Sequence, residues 1–182
     1  MSEQLFFCII RVMWLKPLYF SLKLLNYMMN VMNYQDYDVI EHVFDAIQKE
    51  KLDEAQDCFD GRFKAVILKQ EVKRDEYLDV YRRIKEGMPD AKFKIVDLTT
   101  DGESFRANVK ITGTHTHPFP SLRKGWRVMK PTGKKINKIV SSVEIILRGD
   151  KIMEIRNIQY DKGIISGLLQ ELHLLPKGYS EN

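Results

Sequence analysis

Phe105-Arg106-Ala107-Asn108-Val109-Lys110-Ile111-Thr112 alternates apolar and polar side chains along its whole length. Successive side chains of a strand point to opposite faces, so Phe105, Ala107, Val109 and Ile111 share one face and Arg106, Asn108, Lys110 and Thr112 the other. One dry face and one wet face is the pattern of an antiparallel sheet covered on one side. Just upstream, Asp101-Gly102 is a turn signal, and before it Phe93 and Ile95 alternate with Lys92 and Lys94. The two runs therefore read as a hairpin. Downstream, a loop from Pro118 to Gly133 carries three prolines and two glycines. A third strand is expected over roughly Lys135 to Leu147. Gly149-Asp150 turns the chain into a fourth, from Ile152 to Asp161.

Upstream of the hairpin the period lengthens. Asp36 is placed to cap a helix whose Val39, Ile40, Val43, Phe44 and Ile47 form one apolar stripe. A short second helix is expected from Leu52 to Phe59, stopping near Gly61. A third has Asp75 as cap and Tyr77, Leu78, Tyr81 and Ile84 on one face, and Gly87 and Pro89 end it. After the strands, Ile164, Ile165, Leu168, Leu169 and Leu172 mark a last helix that stops before Pro176. The expected architecture is α+β: a curved, cone-shaped antiparallel sheet packed against three N-terminal helices, with a short C-terminal helix.

The chain has 182 residues, 44% of them apolar and 30% charged. That composition suits one folded domain with a sizeable core and excludes wholesale disorder. The net charge of +4 is too small to imply nucleic acid. Two distant cysteines, Cys8 and Cys58, make neither a disulfide framework nor a zinc site, and a reducing, cytoplasmic setting is expected. Residues 1–33 differ from the body. The stretch Leu5–Met32 is rich in Leu, Phe, Met, Ile and Tyr, but Arg11, Lys16, Pro17 and Lys23 interrupt it. No apolar run reaches the roughly 18 residues of a membrane span. Three readings of this segment stay open: an extra helix, an extension upstream of a start at Met28, Met29 or Met32, and an anchor at a membrane surface. The domain itself is expected over 34–178, with a tail at 179–182.

Several local motifs fall in a telling order. Met88-Pro89-Asp90 follows the third helix. Gly113-Thr114-His115-Thr116 ends the alternating strand. Pro131-Thr132-Gly133-Lys134 precedes the next strand, Gly149 through Glu154 forms the turn into the last, and Asp161 is followed by Leu169-Gln170-Glu171-Leu172 and Pro176. Together they resemble the SnoaL-like polyketide cyclases, of the nuclear transport factor 2-like (cystatin-like) class. The resemblance implies a pocket under the curved sheet in which an acid/base residue moves protons on a polyketide-like carbon acid without a cofactor. Relatives on this fold also include binding modules without catalysis, so fold alone leaves function open.

Strand parity nominates the pocket wall independently. Gly113, His115 and His117 continue the apolar face of Phe105–Ile111, and Asn157, Gln159 and Asp161 share one face of the last strand. Asp161 is the candidate base, since a carboxylate in apolar surroundings has its pKa raised toward the range useful for proton abstraction beside a carbonyl. It is equally well placed to cap the last helix. His115 is either a pocket-rim histidine held by a backbone hydrogen bond or the candidate partner that polarises or protonates the substrate oxygen, with His117, Asn157, Gln159 and Trp126 as ligand contacts. His115 and His117 form an H-x-H pair, but no carboxylate lies between Glu103 and Glu144, so no metal is expected. The last strand reads Glu154-Ile155-Arg156-Asn157-Ile158-Gln159-Tyr160-Asp161, without the family's tryptophan and with the acid one residue late. Either a bulge restores the register or Asp161 stands outside the family's catalytic place. From Ser104 to Val143 there are nine bases and no acid. This is either a solvated surface or the seat of an anionic ligand or partner, with Trp126 available to stack. The expected ligand is small and hydrophobic or anionic, and a homodimer through the sheet is expected.

Overall fold

Alternation and helical spacing account for most of the observed elements. The computed structural model describes residues 36–122, 126–158, 163–175 and 179, and from Asp38 onward these belong to one compact unit, Asp38–Asn182. The extension at 1–33 lies outside the described residues. Helix α1 occupies 36–48, with Asp36 already inside it. Its stripe of Ile40, Val43, Phe44 and Ile47 is buried. Near its end, the Gln48 amide donates to the Ala91 carbonyl (3.2 Å) and accepts from the Phe93 N–H (2.8 Å), tying the helix to the first residues of a strand.

Helix α2, Leu52–Asp57, ends sooner than expected. Phe59–Ile67 is strand β1, and it turns into a short strand β2, Gln70–Val72. Helix α3, Arg74–Gly87, follows. Its cap is Lys73, whose N–H donates to the Glu76 carboxylate (3.0 Å), rather than Asp75. Tyr77, Leu78, Val80, Tyr81 and Ile84 form its buried face. Strands β3 (Lys92–Thr100), β4 (Phe105–Thr114), β5 (Lys135–Arg148) and β6 (Lys151–Asn157) come next, then helix α4, Ile164–Glu171.

The sheet has six strands in the order β2-β1-β6-β5-β4-β3. The expected four-strand meander is therefore its β3–β6 part, and the sheet is mixed rather than antiparallel, because β1 runs parallel to β6. Register shifts occur between β1 and β6 and between β3 and β4, and two more, which flank β5, each insert one extra residue and bend the sheet. Val109 pairs with Ser141 but Lys110 with Ile139, so Val140 is an extra residue in β5. Ile152 pairs with Leu147 but Glu154 with Ile146, so Met153 is an extra residue in β6. Each such bulge adds local twist and bends its strand. The second brings Ile152 and Ile155, three apart, both into the core.

The core between α3 and the sheet is a chain of rings meeting edge to face. Phe59–Phe63, Phe63–Tyr77, Tyr77–Tyr81 and Tyr81–Phe93 have centroid separations of 4.5, 5.2, 5.2 and 5.0 Å. Such pairs contribute roughly 0.5–1.5 kcal/mol each beyond the area they bury. Helix α4 lies close on β5 because Gly167 has no side chain: a Cβ there would stand 2.0 Å from the Val140 carbonyl oxygen.

Candidate functional site

The sequence motifs converge on one end of β4, and they converge as a clamp. Gly113 has φ +152, and a Cβ on it would lie 2.9 Å from the Ala91 Cα, so only glycine fits. The next N–H, of Thr114, donates to the Asp90 carboxylate (2.7 Å), which holds that carboxyl below its ordinary range. His115 N–H donates to the Lys134 carbonyl (3.0 Å), and Gly133 N–H to the His115 carbonyl (2.9 Å). The His115 Nδ1 accepts from the Thr132 N–H (3.2 Å) and lies 3.2 Å from the Thr132 hydroxyl. Thr116 and His117 N–H both donate to the Gly87 carbonyl, at 3.1 and 3.0 Å. The segments Met88-Pro89-Asp90, Gly113–Thr116 and Pro131–Lys134 thus serve one purpose, which is to hold the ends of the loop between β4 and β5.

That loop is anchored further in. Phe119 is fully buried, stacked on the His115 ring at 4.0 Å and 15°. Its ring occupies the space left by Gly87, where a Cβ would be 2.1 Å away. Phe119 and Met129 exchange backbone hydrogen bonds of 3.0 and 3.1 Å, and the Arg83 guanidinium donates to the Ser121 carbonyl. Because Nδ1 accepts from a backbone N–H, the neutral ring carries its proton on Nε2, which has no hydrogen-bond partner among the described residues. Burial lowers the His115 pKa, with the His117 backbone opposing weakly.

His115 therefore faces inward as parity required. His117 does not: β4 ends at Thr114, the two following N–H groups turn toward Gly87, and the side chain is exposed. The H-x-H pair is split, and among the described residues no group of three or more His, Cys, Asp or Glu side chains could hold a metal. Trp126 is half-buried and meets the Tyr179 ring edge-on at 5.8 Å rather than standing free. In the basic run, Arg127, Lys130 and Lys135 are exposed, while Lys138 pairs with Glu171 of α4 (2.7 Å). Arg123, Lys124, Gln159 and Asp161 lie outside the described residues.

A second place lies under α4. Asn157, Ile155, Ala65, Ile67, Tyr77 and Tyr81 are among the residues that line a cavity of about 10 Å³ closed by Gly163, Ile164, Ile165 and Ser166. His115 is not among its lining residues. Asn157 fits against α4 because of Gly163, whose Cβ would stand 2.8 Å from the Asn157 Nδ2. The Tyr77 and Tyr81 hydroxyls are 2.9 Å apart, and burial holds both phenols well above their ordinary pKa. The sequence showed these two tyrosines only as part of a helical stripe. The available signal was their spacing of four, which brings side chains of a helix together.

A curved mixed sheet, three helices before its main meander and a short closing helix define the SnoaL-like, nuclear transport factor 2-like class. The family model of SnoaL-like polyketide cyclases matches residues 34–163, and the chain belongs to that family. Solved structures agree on the fold. TsrD of Streptomyces laurentii superposes with a TM-score of 0.58 at 13% identity, covering 78% of this chain and 97% of its own. A SnoaL-like polyketide cyclase of Agrobacterium tumefaciens gives 0.54 at 14% identity, over 74% and 95%. A Jannaschia sp. CCS1 protein named for the same cyclases gives 0.59 at 16%, over 79% and 94%. No curated protein matches the sequence. Among the described residues, no helix is long and apolar enough to cross a membrane.

Proposed function

We propose that this chain performs cofactor-free acid–base chemistry on a small hydrophobic carbonyl compound, as a cyclase, isomerase or hydratase, with Asp161 as the base. One observation carries this reading: Asn157 and Gly163, which flank Asp161 in the chain, both line the cavity under α4. A carboxylate brought there from water has its charged form disfavoured, which raises its basicity toward that needed to take a proton beside a carbonyl. Asn157, on that wall, and Gln159 are the ligand contacts of this reading. His115 has its Nδ1 occupied and its ring sealed between Phe119 and Thr132, so its part is to position the loop rather than to touch substrate. A homodimer through the outer sheet face and a cytoplasmic setting complete the reading.

The test is exchange of α-protons in heavy water, followed by NMR, for a set of cyclic ketones and β-keto esters. The wild type is expected to speed exchange, and Asp161→Asn to slow it at least about a hundredfold, the scale of a lost general base. Equal rates would sink the mechanism. A second reading, a binding or dimerisation module without catalysis, is favoured by the size of the cavity. Ligand pockets run to roughly 300–1,000 Å³, and this one holds about 10 Å³. Absence of exchange with every compound, together with a Tyr81→Ala variant that gains ligand binding, would support that reading.

A further inference from the structure

We propose that the hydroxyl pair of Tyr77 and Tyr81 is an oxygen-binding site, built to donate a hydrogen bond to the carbonyl or enolate oxygen of a flat hydrophobic ligand. The inference deepens the acid–base reading above and rests on it for the ligand's class. Its basis is a proton inventory. Two phenols carry two O–H protons, and a hydroxyl pair 2.9 Å apart uses one of them between the partners. Among the described residues neither oxygen has another hydrogen-bond partner, so one proton remains for a third group. An unused donor in an apolar core is costly, and such donors are met by water or by ligand.

The space beside the pair matches that need. A void must offer roughly 10–15 Å³ to hold one water, and the cavity lined by both tyrosines and Asn157 offers about 10 Å³. It is sized for a single oxygen. In the resting protein that oxygen is water. In a complex it is the ligand's own, and the remainder of the ligand enters past Ile164, Ile165 and Ser166 at the start of α4, a helix whose Gly163 cap supplies no side-chain hydrogen bond. A hydroxyl that accepts one hydrogen bond donates the next more strongly, so the pair acts as a two-link donor. Burial keeps both phenols protonated, so the site donates throughout the neutral range. It supplies the electrophilic partner for which the sequence had suggested His115.

The test compares 2-naphthol with naphthalene, which differ by the one oxygen, using their fluorescence and the full-length protein. The wild type is expected to prefer naphthol by about tenfold, the scale of one buried hydrogen bond. Tyr77→Phe and Tyr81→Phe each leave one hydroxyl and should lower the preference. The double variant should abolish it while still binding naphthalene, which separates loss of the donor from loss of the fold. Asp161→Asn should keep the preference even where it loses proton exchange, so the two proposals fail separately. No preference in the wild type, no binding of either compound, or a preference that survives in the double variant would each overturn the oxygen site.

Discussion

The clamp around His115 and the cavity under α4 are both polar clusters set in apolar core, and they differ in what each leaves unmatched. At the clamp, backbone groups of Thr114 to His117 find partners in Asp90, Gly87, Gly133 and Lys134, and Phe119 fills what remains. Among the described residues only the His115 Nε2 is left over. Under α4 the balance is reversed, with two hydroxyls that among the described residues have only each other beside a small void. The motifs that mark the family sit mostly at the first place. They record a requirement for folding a long loop, whereas the tyrosine pair under α4 lies where no motif stands.

If the two places are independent, each can be damaged without the other. The largest effect is expected from Phe119→Ala, about 3–5 kcal/mol of stability for a fully buried phenylalanine, read by urea unfolding. Amide exchange should quicken at His115, Gly133 and Met129 and stay slow at Leu168 and Leu172. Loosening of α4 in the same variant would show that the two places are one cooperative unit. Gly167→Ala should cost somewhat less, about 1–3 kcal/mol as overpacking against a backbone oxygen, with the opposite exchange pattern. The smallest effect concerns pH. Burial holds the His115 pKa below 6.5 in the folded state, so the unfolded chain binds the extra proton first as pH falls. Stability should therefore decline as pH drops below about 6.5, and His115→Gln should flatten that decline. A decline unaltered by the substitution would assign it to other groups.

Much of this was legible in the chain. The alternation of Phe105–Ile111, the Asp101-Gly102 turn, the C-terminal limit of α3 and the stripe of α4 all appear as read, whereas α3 starts at Arg74, ahead of the expected Asp75 cap. The β1–β2 hairpin did not announce itself, for two physical reasons. Its two-residue turn is Leu68-Lys69, both at positive φ, 51° and 65°, where Asn-Gly or Asp-Gly is the usual signal. In β1 the alternation is broken at Gly61, so Phe59 looked like the end of a helix. The inward path of His117 was misjudged because backbone bonds to Gly87 turn the chain once β4 stops. The bulge at Met153 lies before Asn157, a position that side-chain periodicity alone does not locate. The tyrosine pair was visible as apolar stripe and invisible as chemistry, since its meaning depends on the void beside it.

The parallel pairing of β1 with β6 also sets a schedule for the ribosome. Phe59 pairs with Ile152, so β1 waits with one edge bare until the chain has been made as far as β6. Contacts so distant in sequence slow folding, because a long loop must close before any bond repays it. Through that interval the β1 edge is an open template for another strand. A half-made chain is therefore the form of this protein most exposed to aggregation, and a chaperone that covers residues near Phe59–Ile67 during synthesis would raise the yield of folded protein more than one acting after release.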